Sequence, residues 1–295
     1  MADNDAYRRQ PKPAVTCARL WQVSPALYGV ARSMYHYSFP KRAYRNLTSE
    51  KWREAEIEMN LLPALVDPAR EAVDVGANVG HYSLTLATLA RCVHVYEPHP
   101  RLAYVLRHSM PRNVRIHNTA ISDKTGSAVL TVPFFDRPVE GLASLSKQTF
   151  VHARRLTRIT VRCSTLDDLA TQDIGFVKVD VEGHESKVLA GANHLIDRQR
   201  PTFLIEVEER HNAGAVQATL DYFSSKSYQG FFVWKSTVLP LEEFTMDMQD
   251  PSLIRPGSAR IACDYVNNFI YVAQERGVNM PQLVELLRRA RNDRR

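Results

Sequence analysis

The densest chemistry in the chain lies at the end of one apolar run, Phe176-Val177-Lys178-Val179-Asp180-Val181-Glu182-Gly183-His184-Glu185. The run reads as a buried strand, so Asp180, Glu182, His184 and Glu185 gather at its carboxyl end. In an open α/β sheet that end faces the ligand crevice. There Asp180 can touch a cofactor or a substrate, and His184, which opens the next helix, can move a proton near neutral pH. Plainer roles exist: Glu182 can interact with the helix N-terminus, and Lys178 can pair with a carboxylate. So many ionisable groups at one strand end are costly to place without a function, which favours an active site at Asp180 and His184. A later run, Leu204-Ile205-Glu206-Val207-Glu208-Glu209-Arg210-His211, repeats the theme. Period-two alternation puts Glu206 and Glu208 on one face, with Glu206 expected at the crevice rim beside Asp180 if the strands are adjacent. By residue type Asp180, Glu206 and His211 could bind a divalent cation, but no local ligand spacing supports one, and no metal is expected.

A second stretch, Glu71-Ala72-Val73-Asp74-Val75-Gly76-Ala77-Asn78-Val79-Gly80, reads as a short strand, a small-residue turn and the opening of a helix. Gly76 and Gly80 allow a sharp bend and a close approach to the backbone. A dinucleotide site requires G-x-G-x-x-G, so that a pyrophosphate can lie on the helix N-terminus. This chain has Gly76-x-Asn78-x-Gly80 instead, with the carboxylate of Asp74 at the strand end. That carboxylate repels a phosphate and suits a cation, which fits S-adenosylmethionine, a ligand with a sulfonium, an ammonium and no phosphate. The alternative is a strand-end Asp74 that caps the turn, with glycines needed for folding alone. Glu97, in Tyr96-Glu97-Pro98, lies about 20 residues past Gly76, the spacing at which an acidic side chain meets a ribose hydroxyl pair.

These residues must be positioned by a regular frame, and the pattern supplies one. Strands are expected over Cys92–Glu97, Val114–His117, Phe176–Val181 and Phe203–Val207, with helices over His99–Met110, His184–Ile196 and Ala213–Lys226. Their alternation predicts a parallel sheet with helices on both faces. Gly126–Val132 and Thr157–Cys163 read as an antiparallel ribbon, and Gly230–Trp234 with Asn268–Val272 as a closing antiparallel hairpin. Ahead of the first strand a helix is expected from Ser49, ended by Pro63 and Pro68. Residues 1–48 form a basic, aromatic-rich N-terminal extension broken by Pro11, Pro13, Pro25 and Pro40, expected to cover an edge of the main domain. Residues 276–295 form a basic C-terminal helix or tail, in which Leu283-Val284-Glu285-Leu286-Leu287 is amphipathic.

Composition narrows the class further. The chain has 295 residues, 44% hydrophobic and 24% charged, with a net charge of +6 concentrated at the two ends. Basic ends allow peripheral contact with an anionic membrane, although solvated termini are the plainer reading. No apolar run is long enough for a transmembrane helix, and no secretory signal opens the chain. The four cysteines, Cys17, Cys92, Cys163 and Cys263, form no C-x-x-C pair, so neither a zinc nor a redox motif is indicated and a cytoplasmic setting is expected.

Taken together, Val73–Gly80, Tyr96-Glu97-Pro98, Asn118-Thr119-Ala120-Ile121-Ser122-Asp123, Thr165-Leu166-Asp167-Asp168-Leu169, Val177–Glu185 and Asn267-Asn268-Phe269 resemble the FkbM family of S-adenosylmethionine-dependent methyltransferases. The resemblance covers roughly residues 50–275 and leaves the N-terminal extension without an inherited role. It implies a class I methyltransferase (Rossmann-like) α/β fold: a seven-stranded, mostly parallel sheet with helices on both faces, here with an N-terminal helical extension. It also implies that Asp74, Gly76, Asn78 and Gly80 surround the methionine part of the cofactor and Glu97 the ribose. Ala120, Ile121 or Asp123 would flank the adenine, and Asp180 would sit where cofactor and substrate meet. Ser144 and Ser146, in a serine-containing loop, are expected to contact substrate together with Glu182 and Glu206. The family is associated with O-methylation of sugars or natural products, so a small-molecule or glycan acceptor is expected and nucleic acid is not. His184 is the first choice for the general base, Asp180 the second and His211 the third. The rival readings are a non-catalytic methyltransferase-fold binding domain and an NAD-linked oxidoreductase.

Overall fold

The structure, a computed structural model, describes residues 34–47, 56–134, 143–146, 153–169, 171–253, 264–277 and 279–292. Its centre is β1 (Glu71–Val75), whose five residues are all buried. β1 pairs in parallel with β2 (Val93–Tyr96) on one side and β7 (Ile174–Val179) on the other. β3 (Val114–His117) continues the sheet beyond β2, and β8 (Thr202–Glu206) beyond β7, again in parallel. β11 (Asn268–Ala273) then runs antiparallel between β8 and β9 (Tyr228–Trp234). The full order is β3-β2-β1-β7-β8-β11-β9-β10, in which β10 (Thr237–Pro240) is an eighth strand.

Seven strands were expected, and β10 is the addition. It turns back from β9 through Lys235 and Ser236, both with positive φ (48° and 63°). A two-residue hairpin turn demands this backbone, but it is usually signalled by Asn-Gly or Asp-Gly, and Lys-Ser carries no such signal. β9 and β11 are antiparallel neighbours as expected, with β10 intervening in the chain.

Side chains alternate across the sheet and are covered on both sides. On one face Val73, Val75, Val177, Val179, Phe203 and Ile205 pack against α5 (Glu185–Ala190), α6 (Asn193–Gln199) and α7 (Ala215–Ser225). On the other, Ala72, Val93, Val95, Phe176 and Leu204 meet α3 (His81–Leu89) and α4 (Pro100–Arg107). The single helix expected over His184–Ile196 is two helices. The break falls at Gly191, where an added Cβ would lie 2.2 Å from the carbonyl oxygen of Ser122.

Pro63 does not end the helix before β1. A 3₁₀ turn at Ile57–Leu61 passes into α2 (Leu62–Leu65), with Pro63 in its first turn, where the missing N–H leaves no bond unmade. The start of that helix, from Ser49, falls outside the described residues. So does most of the N-terminal extension, but α1 (Pro40–Leu47) packs on α4, with Ala43 and Tyr44 in the core. α8 (Met280–Asn292) docks on the domain by Leu283 and Leu287, each 2% exposed, and Glu285 pairs with Arg288 and Arg289 on its outer side. No helix among the described residues is long and apolar enough to cross a membrane. Cys92 and Cys163 are buried free thiols; Cys17 and Cys263 lie outside the described residues.

A second sheet, ordered β4-β6-β5, stands beside the first. β5 (Gly126–Phe134) and β6 (Arg155–Ser164) form the expected antiparallel ribbon, and β4 (Ala120–Ile121) pairs in parallel with β6. Its inner side, with Leu130, Val132 and Val161, forms a small core of its own.

β1 and β7 come together most closely just past their ends. Asp180 N–H donates to Val75 O (3.0 Å), and Gly76 sits at φ +81°, where an added Cβ would lie 1.8 Å from Asp180 O. Gly76→Ala combines left-handed strain with a backbone clash and should destabilise the fold by about 2–5 kcal/mol in urea unfolding. A change within about 0.5 kcal/mol, the scale of a neutral surface substitution, would show that the two strand ends are not so tightly joined.

Candidate active site

A pocket opens at the carboxyl ends of β1, β2 and β7 and holds about 560 Å³ of empty space, its open mouth included. Its rim combines the turn after β1, the end of β2, an apolar wall and a polar end. The apolar wall is Ala120, Ile121, Leu130, Ala143 and Leu145, and the polar end is Asp180, Glu182 and His184.

Glu97 is the best-defined polar group on the β2 side. The backbone N–H of Asn78 donates to Oε2 (2.7 Å), and that of His99 donates to Oε1 (2.7 Å). Asn78 reaches this position with φ +52°, a left-handed conformation that asparagine tolerates better than most residues. The Asn118 side chain steadies the end of β2 by donating to Glu97 O and Pro98 O, both at 2.9 Å. Glu97 is 5% exposed, and burial pushes its pKa up to about 8 against the two N–H donors. Each carboxylate oxygen keeps acceptor capacity for one more donor, which suits a pair of neighbouring hydroxyls. Beside it the Tyr96 ring stacks on His117, with centroids 4.5 Å apart.

Behind the polar end lies a buried charge cluster. Lys178 is 1% exposed, and its Nζ stands 3.4 Å from Asp180 Oδ2, 4.0 Å from Glu206 Oε2 and 4.9 Å from the centre of the Tyr82 ring. Strand register sets Asp74 directly across from Lys178. Burial opposes the ammonium charge, but Asp180, Glu206, Glu56 and Asp74 together outweigh it and raise the lysine pKa. Asp74 accepts from Ser83 Oγ (2.5 Å), and burial pushes its carboxyl up to about 6. Burial also raises Glu206, whose Oε1 accepts from Asn267 Nδ2 (2.8 Å).

The turn after β7 is held from across the pocket. Glu182 and Gly183 have φ of 54° and 87°. Ser144 Oγ donates to Glu182 O (2.6 Å), Ser146 Oγ donates to Gly183 O (2.7 Å), and Gly183 N–H donates to Glu185 Oε1 (2.9 Å). The Glu182 carboxyl, raised by burial, lies 3.3 Å from His211 Nε2. His184 Nε2 lies 3.0 Å from Ser122 Oγ, and burial lowers the pKa of this imidazole, with Asp123 opposing.

The structure thus brings Gly76, Asn78, Glu97, Ala120, Ile121, Asp180, Glu182 and His184 to one pocket. The other expected site residues do not line it. Asp74 and Glu206 belong to the cluster around Lys178, on the far side of the strand ends. Gly80 faces α4, where an added Cβ would lie 2.3 Å from Met110 Cε. Asp123 pairs with Lys187 (2.9 Å) and Ser122. Ser144 is 1% exposed, and the hydroxyls of Ser144 and Ser146 donate to backbone, so their loop offers Ala143 and Leu145 to the pocket instead. His211 reaches Glu182 but not the pocket wall.

The sequence pattern missed Tyr96 and Leu130 as wall residues, since side chains buried in strands carry no chemical signature. It also missed Ser122, whose place beside Asp123 was the available signal. Asp180, Glu206 and His211 do not converge on a metal position. The mixed cluster that does converge among the described residues, Glu71, Cys92 and His94, lies at the opposite strand ends. There Glu71 already pairs with His94 (2.8 Å) and Arg91 (3.0 Å).

No curated protein sequence matches the chain. Among solved structures it is similar to the methyltransferase FkbM of Methylobacillus flagellatus KT, at 15% identity and a TM-score of 0.46, over 75% of this chain and 50% of that one. The chain therefore spans half the length of that protein. It is also similar to an rRNA methylase of Streptococcus thermophilus (11% identity, TM-score 0.39, 74% of this chain and 95% of that one). A third similar structure is SMU.1697c of Streptococcus mutans in complex with SAH (9% identity, TM-score 0.41, 73% and 96%). These likenesses concern the fold alone. The sequence profile of the methyltransferase FkbM domain matches residues 74–231, from the end of β1 into β9. Because that match covers more than half of the chain, the protein belongs to the FkbM methyltransferase family.

Proposed function

We propose that the chain is an S-adenosylmethionine-dependent O-methyltransferase acting on a hydroxyl of a sugar, a glycolipid or a natural product. The observation that carries this reading is the placement of Glu97 and His184 on one pocket. At one side a carboxylate fixed by two N–H donors suits the ribose hydroxyls of an adenosyl group. Ala120, Ile121, Leu130 and Tyr96 offer apolar and aromatic surface for a base. At the other side of the same pocket are Asp180, Glu182 and His184, groups whose chemistry suits an acceptor hydroxyl. The glycines add nothing to this fit, since Gly76 and Gly80 are required by Asp180 and by α4.

S-adenosylmethionine supplies an activated methyl group on a good leaving group, so the protein has mainly to align the acceptor. A sugar hydroxyl is a weak nucleophile, and its proton needs a base. His184 suits that role: burial favours its neutral form, and it lines the pocket. Asp180, tied to Lys178, is placed to orient the acceptor hydroxyl. The absence of the G-x-G-x-x-G spacing favours this reading over an NAD-linked enzyme.

Incubation of the protein with methyl-labelled cofactor and small-molecule and glycan fractions should yield a labelled, base-stable ether. Label confined to esters or amines would contradict O-methylation of a hydroxyl. With that acceptor, His184→Ala should lower turnover about tenfold or more while S-adenosylhomocysteine affinity stays the same. Near-normal turnover would remove His184 from the role. The pH profile has a definite sign. Because the His184 pKa lies below its usual 6.5, the neutral base persists into mild acid. Turnover should therefore hold from alkaline pH down past 6.5 and fall only below it, and a midpoint above 6.5 would contradict the assignment.

A further inference from the structure

His184 has one ring nitrogen engaged and one open. Nε2 meets Ser122 Oγ at 3.0 Å, whereas Nδ1 has no hydrogen bond among the described residues, and the residue lines the pocket. A serine hydroxyl has a single hydrogen, and that of Ser122 donates to Asp123 Oδ1 (3.0 Å). Asp123 accepts only: Lys187 Nζ, 2.9 Å from Oδ2, and the Ser122 hydroxyl hold its carboxyl below the usual carboxylate range. With its hydrogen directed to Asp123, Ser122 Oγ must receive from His184. That places the imidazole hydrogen on Nε2 and leaves the lone pair on Nδ1.

The group that imposes this choice is itself fixed. Ser122 is 7% exposed, and its N–H donates to Ser164 O (2.9 Å). Its carbonyl oxygen fills the notch at Gly191, where any Cβ would lie 2.2 Å away. The junction between α5 and α6 thus clamps Ser122, and α5 carries Lys187, which clamps Asp123. The charged groups around His184 are Asp123, which favours a cationic ring, and Lys187, which opposes it. Asp180 and Glu182 share its pocket.

We infer that Ser122 and Asp123 are positioning residues that hold His184 in its Nε2–H tautomer and present Nδ1 to the pocket as the proton acceptor. The inference rests on the methyltransferase reading for its use, but the tautomer itself does not. As the acceptor O–H bond breaks, the proton joins Nδ1 and the electron pair stays on the oxygen. The Nε2–H continues to donate to Ser122, and no proton moves to Asp123. The imidazolium then releases its proton to solvent.

The test is ¹⁵N NMR of the full chain labelled at its ten histidines, at pH 8, with His184→Gln used to assign the resonance. The two-bond coupling pattern distinguishes the tautomers. Wild-type protein and Ser122→Thr, which keeps the hydroxyl, should show His184 with the hydrogen on Nε2. Ser122→Ala should lose that single pattern. Asp123→Asn, whose amide can donate to Ser122 and turn the hydroxyl hydrogen toward His184, should move the ring hydrogen to Nδ1. Two results would overturn the inference: a hydrogen on Nδ1 in the wild type, or an unchanged pattern in both Ser122→Ala and Asp123→Asn. S-adenosylhomocysteine titrated into the same samples keeps the two claims apart. A wild-type Nε2–H pattern without ligand binding supports the tautomer and rejects the methyltransferase reading.

Discussion

One buried ammonium underlies the polar end of this site. Lys178 lies in the middle of the sheet, across from Asp74, with Asp180 and Glu206 within 4.0 Å. Carboxylates gathered in such a place repel one another and lose their hydration, and an uncompensated buried charge is strongly destabilising. The lysine offsets this enough for Asp180 to stand at the pocket as part of an ion pair. Burial raises Asp74 and Glu206, which are therefore protonated more readily than free carboxyls. The cluster is a support behind the site, and the groups left facing the pocket are Asp180, Glu182 and His184.

A second constraint joins the halves of the pocket. The turn after β1 and the end of β7 touch through Gly76 and Asp180, so the loop that presents Asn78 and the strand that presents Asp180 cannot shift independently. The loop bearing Ser144 and Ser146 reaches across to the Glu182–Gly183 carbonyls and holds a turn with two successive positive φ values. The pocket is thereby preorganised from three sides, which lets an enzyme devote its binding contacts to alignment.

Much of this was legible in the sequence. Strands buried on both faces announce themselves by Val-rich runs, and the ends of such strands are where ligands meet an α/β sheet, so Gly76, Asn78, Glu97, Asp180 and His184 could be named from pattern alone. Other residues have partners within the protein that the pattern does not show. Asp74 reads as a ligand carboxylate, but strand alternation turns it toward Lys178, and only pairing register reveals this. Gly80 reads as a ligand-facing glycine, yet its missing Cβ makes room for Met110 and Leu106. The serines of the 143–146 loop look available for a substrate because hydroxyls signal polarity, while their direction depends on a turn about 40 residues away in sequence. The eighth strand was invisible because its turn lacks the residues that usually mark one.

Glu97 and the pocket around it are proposed to hold an adenosyl group. Calorimetric titration of S-adenosylhomocysteine into the wild-type chain and into Glu97→Gln tests this proposal most directly. Saturable one-to-one binding is expected, with no binding of NAD⁺ and an affinity in Glu97→Gln lower by about tenfold or more, because the amide NH2 replaces an oxygen that accepts from a backbone N–H and leaves buried donors facing each other. Binding of NAD⁺ in place of S-adenosylhomocysteine, or equal S-adenosylhomocysteine affinity in wild type and Glu97→Gln, would contradict it.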